Sequence, residues 1–206
     1  MTMDSDNFYK ASCDYLACLN SAFTPDILNE VKNLCDLLLD AWLHKRQVFI
    51  CGNGGSAANA LHIANDFLYG IGACGPSPIV PGLRVEALPA NTAVLTCLAN
   101  DTGYDNIFSK QLLAKAHSSD ILIALSGSGN SPNIINAIET ANSLGLYSIA
   151  VLAFSGGRCK DLAKHSIHFP INDMQIAEDT QLIVGHLCMQ WLNSHKPESL
   201  SNSNYA

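Results

Sequence analysis

Val48-Phe49-Ile50-Cys51-Gly52-Asn53-Gly54-Gly55-Ser56 is the stretch on which the reading of the fold turns. Four consecutive apolar residues run into a glycine cluster. That is the pattern of a short strand buried on both faces, not of one that alternates toward water. Residues 55–69 then read as a helix, so the glycines lie between a strand and a helix. The same unit recurs downstream. Residues 121–125 are wholly apolar, Ser126-Gly127-Ser128-Gly129-Asn130-Ser131-Pro132 follows, and residues 131–144 read as a helix.

Working outward, strands are also expected over 84–88, 147–153 and 167–170, with helices over 92–99, 106–117, 159–164 and 174–193. Apolar strands separated by helices imply a parallel sheet covered on both faces, a doubly wound α/β domain. Two helices precede it. The first spans 7–21. The second spans 25–44, where Thr24 can cap, Pro25 takes the first helical position, and Ile27, Val31, Leu34, Leu38 and Leu39 recur at helical spacing. Residues 70–83 hold four glycines and three prolines and read as a long irregular loop. Residues 1–193 are expected to form one domain, and 194–206, rich in Ser and Asn, a disordered tail.

Composition narrows the function classes. Charged residues make up 14% of the chain, against ~25% in an average soluble domain, which suits a surface covered by oligomerisation. The net charge is −7 and basic residues cluster only at His44-Lys45-Arg46, so nucleic acid and anionic membrane are not expected partners. No apolar run reaches the ~18 residues that cross a bilayer, and the N-terminus Met1-Thr2-Met3-Asp4-Ser5-Asp6 lacks a signal peptide's basic start. A cytoplasmic chain is expected. Its eight cysteines show no CxxC spacing and read as small packing residues.

In open parallel sheets, ligands bind at the carboxyl ends of the strands. Both glycine turns lie at such ends. Glycines let backbone N–H groups approach an oxyanion, helix starts favour negative charge, and Ser126, Ser128 and Ser131 add neutral donors. A phosphate monoester fits this set without a lysine. Two nucleotide readings fail. Gly52-x-Gly54-x-x-Ala57 matches the dinucleotide fingerprint in form, but no acidic residue ends the next strand about 20 residues on. No Lys follows either turn, as a P-loop requires.

His62 and Asp66 are four apart on one helical face. Glu178 and His186 are eight apart on the last helix, about 80° around its axis, and both can point to one cleft. Two histidines and two carboxylates from two helices make a candidate site for zinc or another divalent ion. A carboxylate and a histidine also make a general acid/base pair able to move protons on carbon and oxygen. Asp66 and His186 are the candidate acid/base pair, with Glu178 as the alternative carboxylate. Asp179 and Gln181 read as surface or interface residues.

CGNGGSAANALHIANDF, NDTGYDNIFSKQ and LSGSGNSPN, in this order, resemble a SIS (sugar isomerase) domain. More narrowly they resemble the phosphoheptose isomerase family, over about residues 7–193. The resemblance implies a flavodoxin-like SIS fold and a homotetramer with active sites between subunits. It implies conversion of sedoheptulose 7-phosphate to an aldoheptose 7-phosphate, often with zinc. Substrate contacts are implied for Asn53, Gly54, Gly55 and Ser56, for Asn100 and Asp101, for Ser126, Gly127, Ser128 and Ser131, and for Asp66 and Glu178. Metal ligands are implied at His62, Asp66, Glu178 and His186. Three positions depart from the family's pattern. Gly127 stands for the usual threonine, Asp66 for glutamate and Glu178 for glutamine. Aspartate loses one methylene, roughly 1.5 Å of reach. The alternatives are an isomerase of another sugar phosphate, and a SIS module that binds a sugar phosphate or a protein without catalysis.

Overall fold

A computed structural model describes residues 5–75 and 78–200, with residues 5 and 6 by backbone alone. Two helices open it, α1 (Ser5–Ala22) and α2 (Pro25–Leu43). The Thr24 hydroxyl accepts from Ile27 N at 3.3 Å and Pro25 begins α2, as its capping pattern requires. Strand β1 (Gln47–Gly52) then leads through the glycine turn into α3 (Gly55–Asn65). The other strands are β2 (Arg84–Ala87), β3 (Ile121–Ser126), β4 (Tyr147–Leu152) and β5 (His165–His168). All pair in parallel in the order β2-β1-β3-β4-β5.

The residues of each strand decide what covers each face. Val48 and Ile50 of β1 join Ile121, Ile123 and Leu125 of β3 in one core, against Leu34 and Leu38 of α2, Ile63 of α3, and Val184 and Cys188 of α9 (Met174–Ser194). Phe49 and Cys51 point the other way, with Leu122 and Ala124. That core is closed by α6 (Ser109–Lys115), α7 (Pro132–Ser143) and α8 (Gly157–Leu162). Helix α5 (Thr92–Thr102) has no buried residue and lends only Leu95, Leu98 and Ala99 to the core's edge. Burial on both faces is why these strands carry continuous apolar runs. Cys51 and Cys159 are buried as packing groups, and burial raises the thiol pKa of both, to about 11 for Cys159.

Four expectations are corrected. The helix expected over 55–69 is α-helical only to Asn65, and a π-helical turn follows at Asp66–Gly70 before α4 (Ile71–Ala73). Ile71 N donates to Asp66 O, five residues back. The irregular loop expected over 70–83 begins only after α4, at Cys74, and its far end folds back onto the π turn, with Leu83 N donating to Phe67 O at 2.9 Å; residues 76 and 77 lie outside the described residues. The helix expected over 106–117 is a 3-10 turn at Tyr104–Asn106 followed by α6. Residues 194–200 are not a free tail: Glu198–Leu200 forms a 3-10 turn and Leu200 packs on the core, while 201–206 lie outside the described residues. No helix among the described residues is long and apolar enough to cross a membrane.

Helices α3 and α9 approach closely at one glycine. A Cβ on Gly185 would lie 2.5 Å from Cγ1 of Ile63, which is itself buried. Gly185→Ala is therefore expected to force the helices apart and to cost about 1–3 kcal/mol. Urea unfolding measures this, and an unchanged midpoint would show that the contact relaxes freely.

Candidate active site

The strand order places a switch point between β1 and β3, where crevices form at the carboxyl ends of an open sheet. Gly52 pairs with Leu125 in register, so the two glycine turns emerge side by side. Gly54 has φ 54° and ψ −121°, a conformation that excludes a side chain, and it stands at the start of α3 with no side-chain cap. The first two N–H groups of α3, those of Gly55 and Ser56, thus lack intrahelical acceptors at the pocket wall, while Ala57 N donates to Gly54 O at 3.0 Å. In the second turn the Ser126 hydroxyl accepts from Gly129 N at 3.1 Å, and the Ser128 hydroxyl from Asn130 N at 3.3 Å. Ser131 occupies the N-cap of α7 but makes no side-chain cap bond, which leaves its hydroxyl available to a ligand. Gly129, at φ 64°, passes so close to Gly156 that a Cβ would meet its carbonyl oxygen at 1.9 Å. Cys159 N donates to Gly129 O and Arg158 N to the Asn130 amide oxygen, bracing the serine turn on α8.

Between the turns lies a cavity of about 270 Å³, walled by the predicted residues Asn53 to Ser56, Ser126 to Ser128, and Ser131. Met174 and Glu178 from α9 close it. Both enter space that a glycine leaves open. The Glu178 carboxylate lies 2.3 Å from where a Gly55 Cβ would be, and Met174 Sδ 2.9 Å from where a Gly127 Cβ would be. A larger cavity of about 440 Å³ beside Trp42 and Arg84 lies at the amino end of β2, away from both turns.

Farther along the same two helices, α3 and α9, two histidines and a carboxylate converge, none of them in the pocket wall. His62 Nε2 is 3.0 Å from His186 Nε2; Asp66 Oδ2 is 3.6 Å from the first and 3.7 Å from the second. The α-helical spacing of His62 and Asp66 holds because the wide turn begins only at the Asp66 carbonyl. Asn59 ties α3 to α9 by donating to Glu178 O at 2.9 Å and to the Gln181 amide oxygen at 3.3 Å. Gln181, expected at the surface or an interface, is buried within the chain itself. Asp179 accepts the Tyr15 hydroxyl from α1, and that hydrogen bond, with some desolvation, pushes the phenol up to about 12.

The donor set fits a divalent ion. Tetrahedral zinc at ~2.0–2.1 Å from its ligands holds them roughly 3.3 Å apart, and here the same three atoms lie 3.0, 3.6 and 3.7 Å apart. Among the described residues the cluster is His62, Asp66 and His186. Glu178, expected as a fourth ligand, lines the pocket and is not among the three converging side chains. Its 80° offset from His186 suits a shared cleft, but eight residues also separate them by about 12 Å along the helix. Asn100 and Asp101 are not brought to the pocket. They hydrogen-bond to each other at 2.8 Å at the exposed end of α5, where Cys97 donates to Asp101 at 3.5 Å and its thiol is pushed up by that bond.

Three residues of this region escaped the sequence reading. Asn133 and Tyr104 hold the Asn53 amide, and Met174 fills the space at Gly127. Asn133 and Tyr104 lie inside quoted motifs, so their place near the site was visible, but their partner was not.

This fold and site define a SIS domain, the α/β class that the SIS-domain family represents, and that family matches residues 13–153. The phosphoheptose isomerase of Sulfurimonas denitrificans is 34% identical over 162 residues, covering 79% of this chain and 80% of that protein. The phosphoheptose isomerase of Citrifermentans bemidjiense is 33% identical over 183 residues, 86% of this chain and 88% of that one. The structure of phosphoheptose isomerase GmhA from Neisseria gonorrhoeae superposes with a TM-score of 0.83 at 25% identity, over 93% of this chain and 100% of that one. The chain belongs to the phosphoheptose isomerase family.

Zinc affinity separates ligands from neighbours. His62→Ala and His186→Ala are each expected to weaken zinc binding at least about tenfold, the scale on which even outer-shell changes act. Glu178→Ala is expected to stay within about threefold of the parent. Titration against a chromophoric chelator reads all three, and an equal loss in Glu178→Ala would return Glu178 to the ligand set.

Proposed function

We propose that this protein converts sedoheptulose 7-phosphate to the aldoheptose 7-phosphate. The observation that carries the reading is that α3 and α9, which both contribute to a pocket walled by serine hydroxyls and the start of a helix, also bring His62, Asp66 and His186 together farther along their length. A phosphate seated on residues 126–131 fixes one end of the sugar, and the reacting carbons lie toward α3 and α9. The net reaction removes one proton from C1 and adds one at C2, while a proton leaves O1 and one is gained at O2. Asp66 takes the carbon proton. Its Oδ1 faces only the Asn65 amide at 3.5 Å, while Oδ2 faces both histidines. His186 serves the oxygen protons. A divalent ion on the three converging atoms would supply Lewis-acid polarisation of the C1–C2 oxygens. Were that ion bound through His186 Nε2, the other imidazole nitrogen, Nδ1, would be the one left to serve the oxygen protons.

We read residues 1–193 as one domain that acts as a homotetramer. Phe8, Tyr9 and Leu16 of α1 are exposed, as are Leu61, Leu68 and Tyr69 around the histidine cluster. His62 and His186 keep 50% and 44% of their side-chain surface, which leaves room for a second chain to complete the site. Eight thiols, four of them buried as packing groups, suit a reducing, cytoplasmic compartment. A sizing column is expected to place the protein at four chains, and a monomer at micromolar concentration would contradict the shared site.

Asp66→Asn and His186→Ala are each expected to lower kcat by about 10²–10⁴-fold, the range for a lost acid/base group. Proton NMR of sedoheptulose 7-phosphate turnover measures this directly. Full activity in either variant would remove that residue from the mechanism.

A further inference from the structure

The two glycine turns and the segment after α5 meet at a single amide. Asn53 donates from Nδ2 to Asn133 Oδ1 at 2.8 Å, and Asn133 returns the bond from its own Nδ2 to Asn53 Oδ1 at 2.8 Å. The Tyr104 hydroxyl donates to the same Asn53 Oδ1 at 2.9 Å. An amide oxygen has two lone pairs and an amide nitrogen two hydrogens. Both acceptor positions of Asn53 are filled and one N–H is used. One N–H remains for a ligand, and Asn53 lines the serine pocket.

The partners of Asn53 connect it to the other two binding segments. Asn133 is 1% exposed, on the first turn of α7 directly after Ser131 and Pro132, so it moves with the serine turn. Tyr104 follows Gly103, whose φ of 85° ends α5, the helix that carries Asn100 and Asp101. Tyr104 is 57% exposed, so burial does not require its hydrogen bond. On the far side of Asn53 lies a largely apolar gap of about 190 Å³ beneath α5, with Leu95, Ala99 and Tyr104 in its wall. Side-chain bonds such as that from Tyr104 therefore help to locate this poorly packed helix.

We propose that Asn133 and Tyr104 are positioning residues that clamp the Asn53 amide as a donor at a fixed distance from the phosphate seat, and that this distance selects the length of the sugar phosphate. The inference rests on the reading of the pocket as a sugar-phosphate site. With both lone pairs filled, the amide cannot turn its oxygen to the ligand, so its remaining N–H meets a sugar oxygen at one spacing from the phosphate. A looser amide would meet chains of several lengths about equally.

The test uses ligands that do not react, so that it stands apart from turnover. Affinities of inorganic phosphate, a heptitol 7-phosphate and a pentitol 5-phosphate are measured by calorimetry on the whole protein and on Tyr104→Phe and Asn133→Ala. Tyr104→Phe removes one exposed hydroxyl and keeps the fold even if Asn133→Ala does not. In Tyr104→Phe, inorganic phosphate is expected to bind within twofold of the parent. The seven-carbon ligand should weaken about tenfold, the scale of one hydrogen bond, and the preference for seven carbons over five should fall with it. A preference that stays within twofold overturns the proposal. So does equal weakening of all three ligands, the mark of a merely structural role, and so does a parent protein that does not distinguish seven carbons from five. A parent that binds with this preference but turns nothing over would leave the clamp standing and remove the isomerase reading instead.

Discussion

Helices α3 and α9 cross where Gly185 sets only a hydrogen against Ile63, and the rest of the site depends on that closeness. His62 and Asp66 belong to the segment that follows β1, while His186 sits on the last helix, 120 residues after Asp66 in sequence. Only a short interaxial distance lets imidazoles of ordinary length meet a carboxylate at 3.0–3.7 Å. The sheet does the complementary work at the other side of the pocket. Because β1 and β3 are neighbours at the switch point, their two turns form one wall, and α9 closes it with Met174 and Glu178. One helix thus contributes both to the pocket between the glycine turns and to the His62, Asp66 and His186 cluster.

The departures from the family's usual residues acquire physical meaning in this setting. Asp66 is short, yet as the first residue of the π turn it still donates its backbone N–H to His62 O in α-helical fashion, and its carboxylate reaches both histidines. Single π turns recur at functional sites because they shift the following chain by one residue without ending the helix. Glu178 brings a carboxylate where an amide is usual, and it settles against Gly55 at the start of α3, where the helix favours negative charge. Gly127 gives up a hydroxyl from the serine turn, and the Met174 thioether takes the space.

Much of this was legible in the residues. Apolar runs that end in glycine marked β1 and β3, and parallel order followed from the helices between them. The pairing of His62 with Asp66 followed from a spacing of four. Other features depend on facts that no local pattern holds. Hydrophobic periodicity does not register a change from α to π hydrogen bonding, so residues 55–69 read as one helix. A helical wheel places Glu178 and His186 near one another in angle but is blind to their separation along the axis. The Asn53 clamp joins residues 80 and 51 positions apart, and polar side chains find such partners only once the chain is folded. Leu200 looked like part of a polar tail because its apolar contact lies on the distant α2–β2 side of the core.

The central claim is that the carboxylate and imidazoles on these two helices move a proton between C1 and C2 of a phosphorylated ketose. The most direct measurement is turnover of sedoheptulose 7-phosphate in deuterium oxide, with C2 of the aldose product followed by NMR. A proton that passes through a side-chain base exchanges with solvent, so the account predicts deuterium at C2. Because His62 and His186 stand half-exposed around Asp66, a product that carries only protium there would contradict proton transfer by a base in contact with solvent, and would point to direct carbon-to-carbon transfer or to a shielded base.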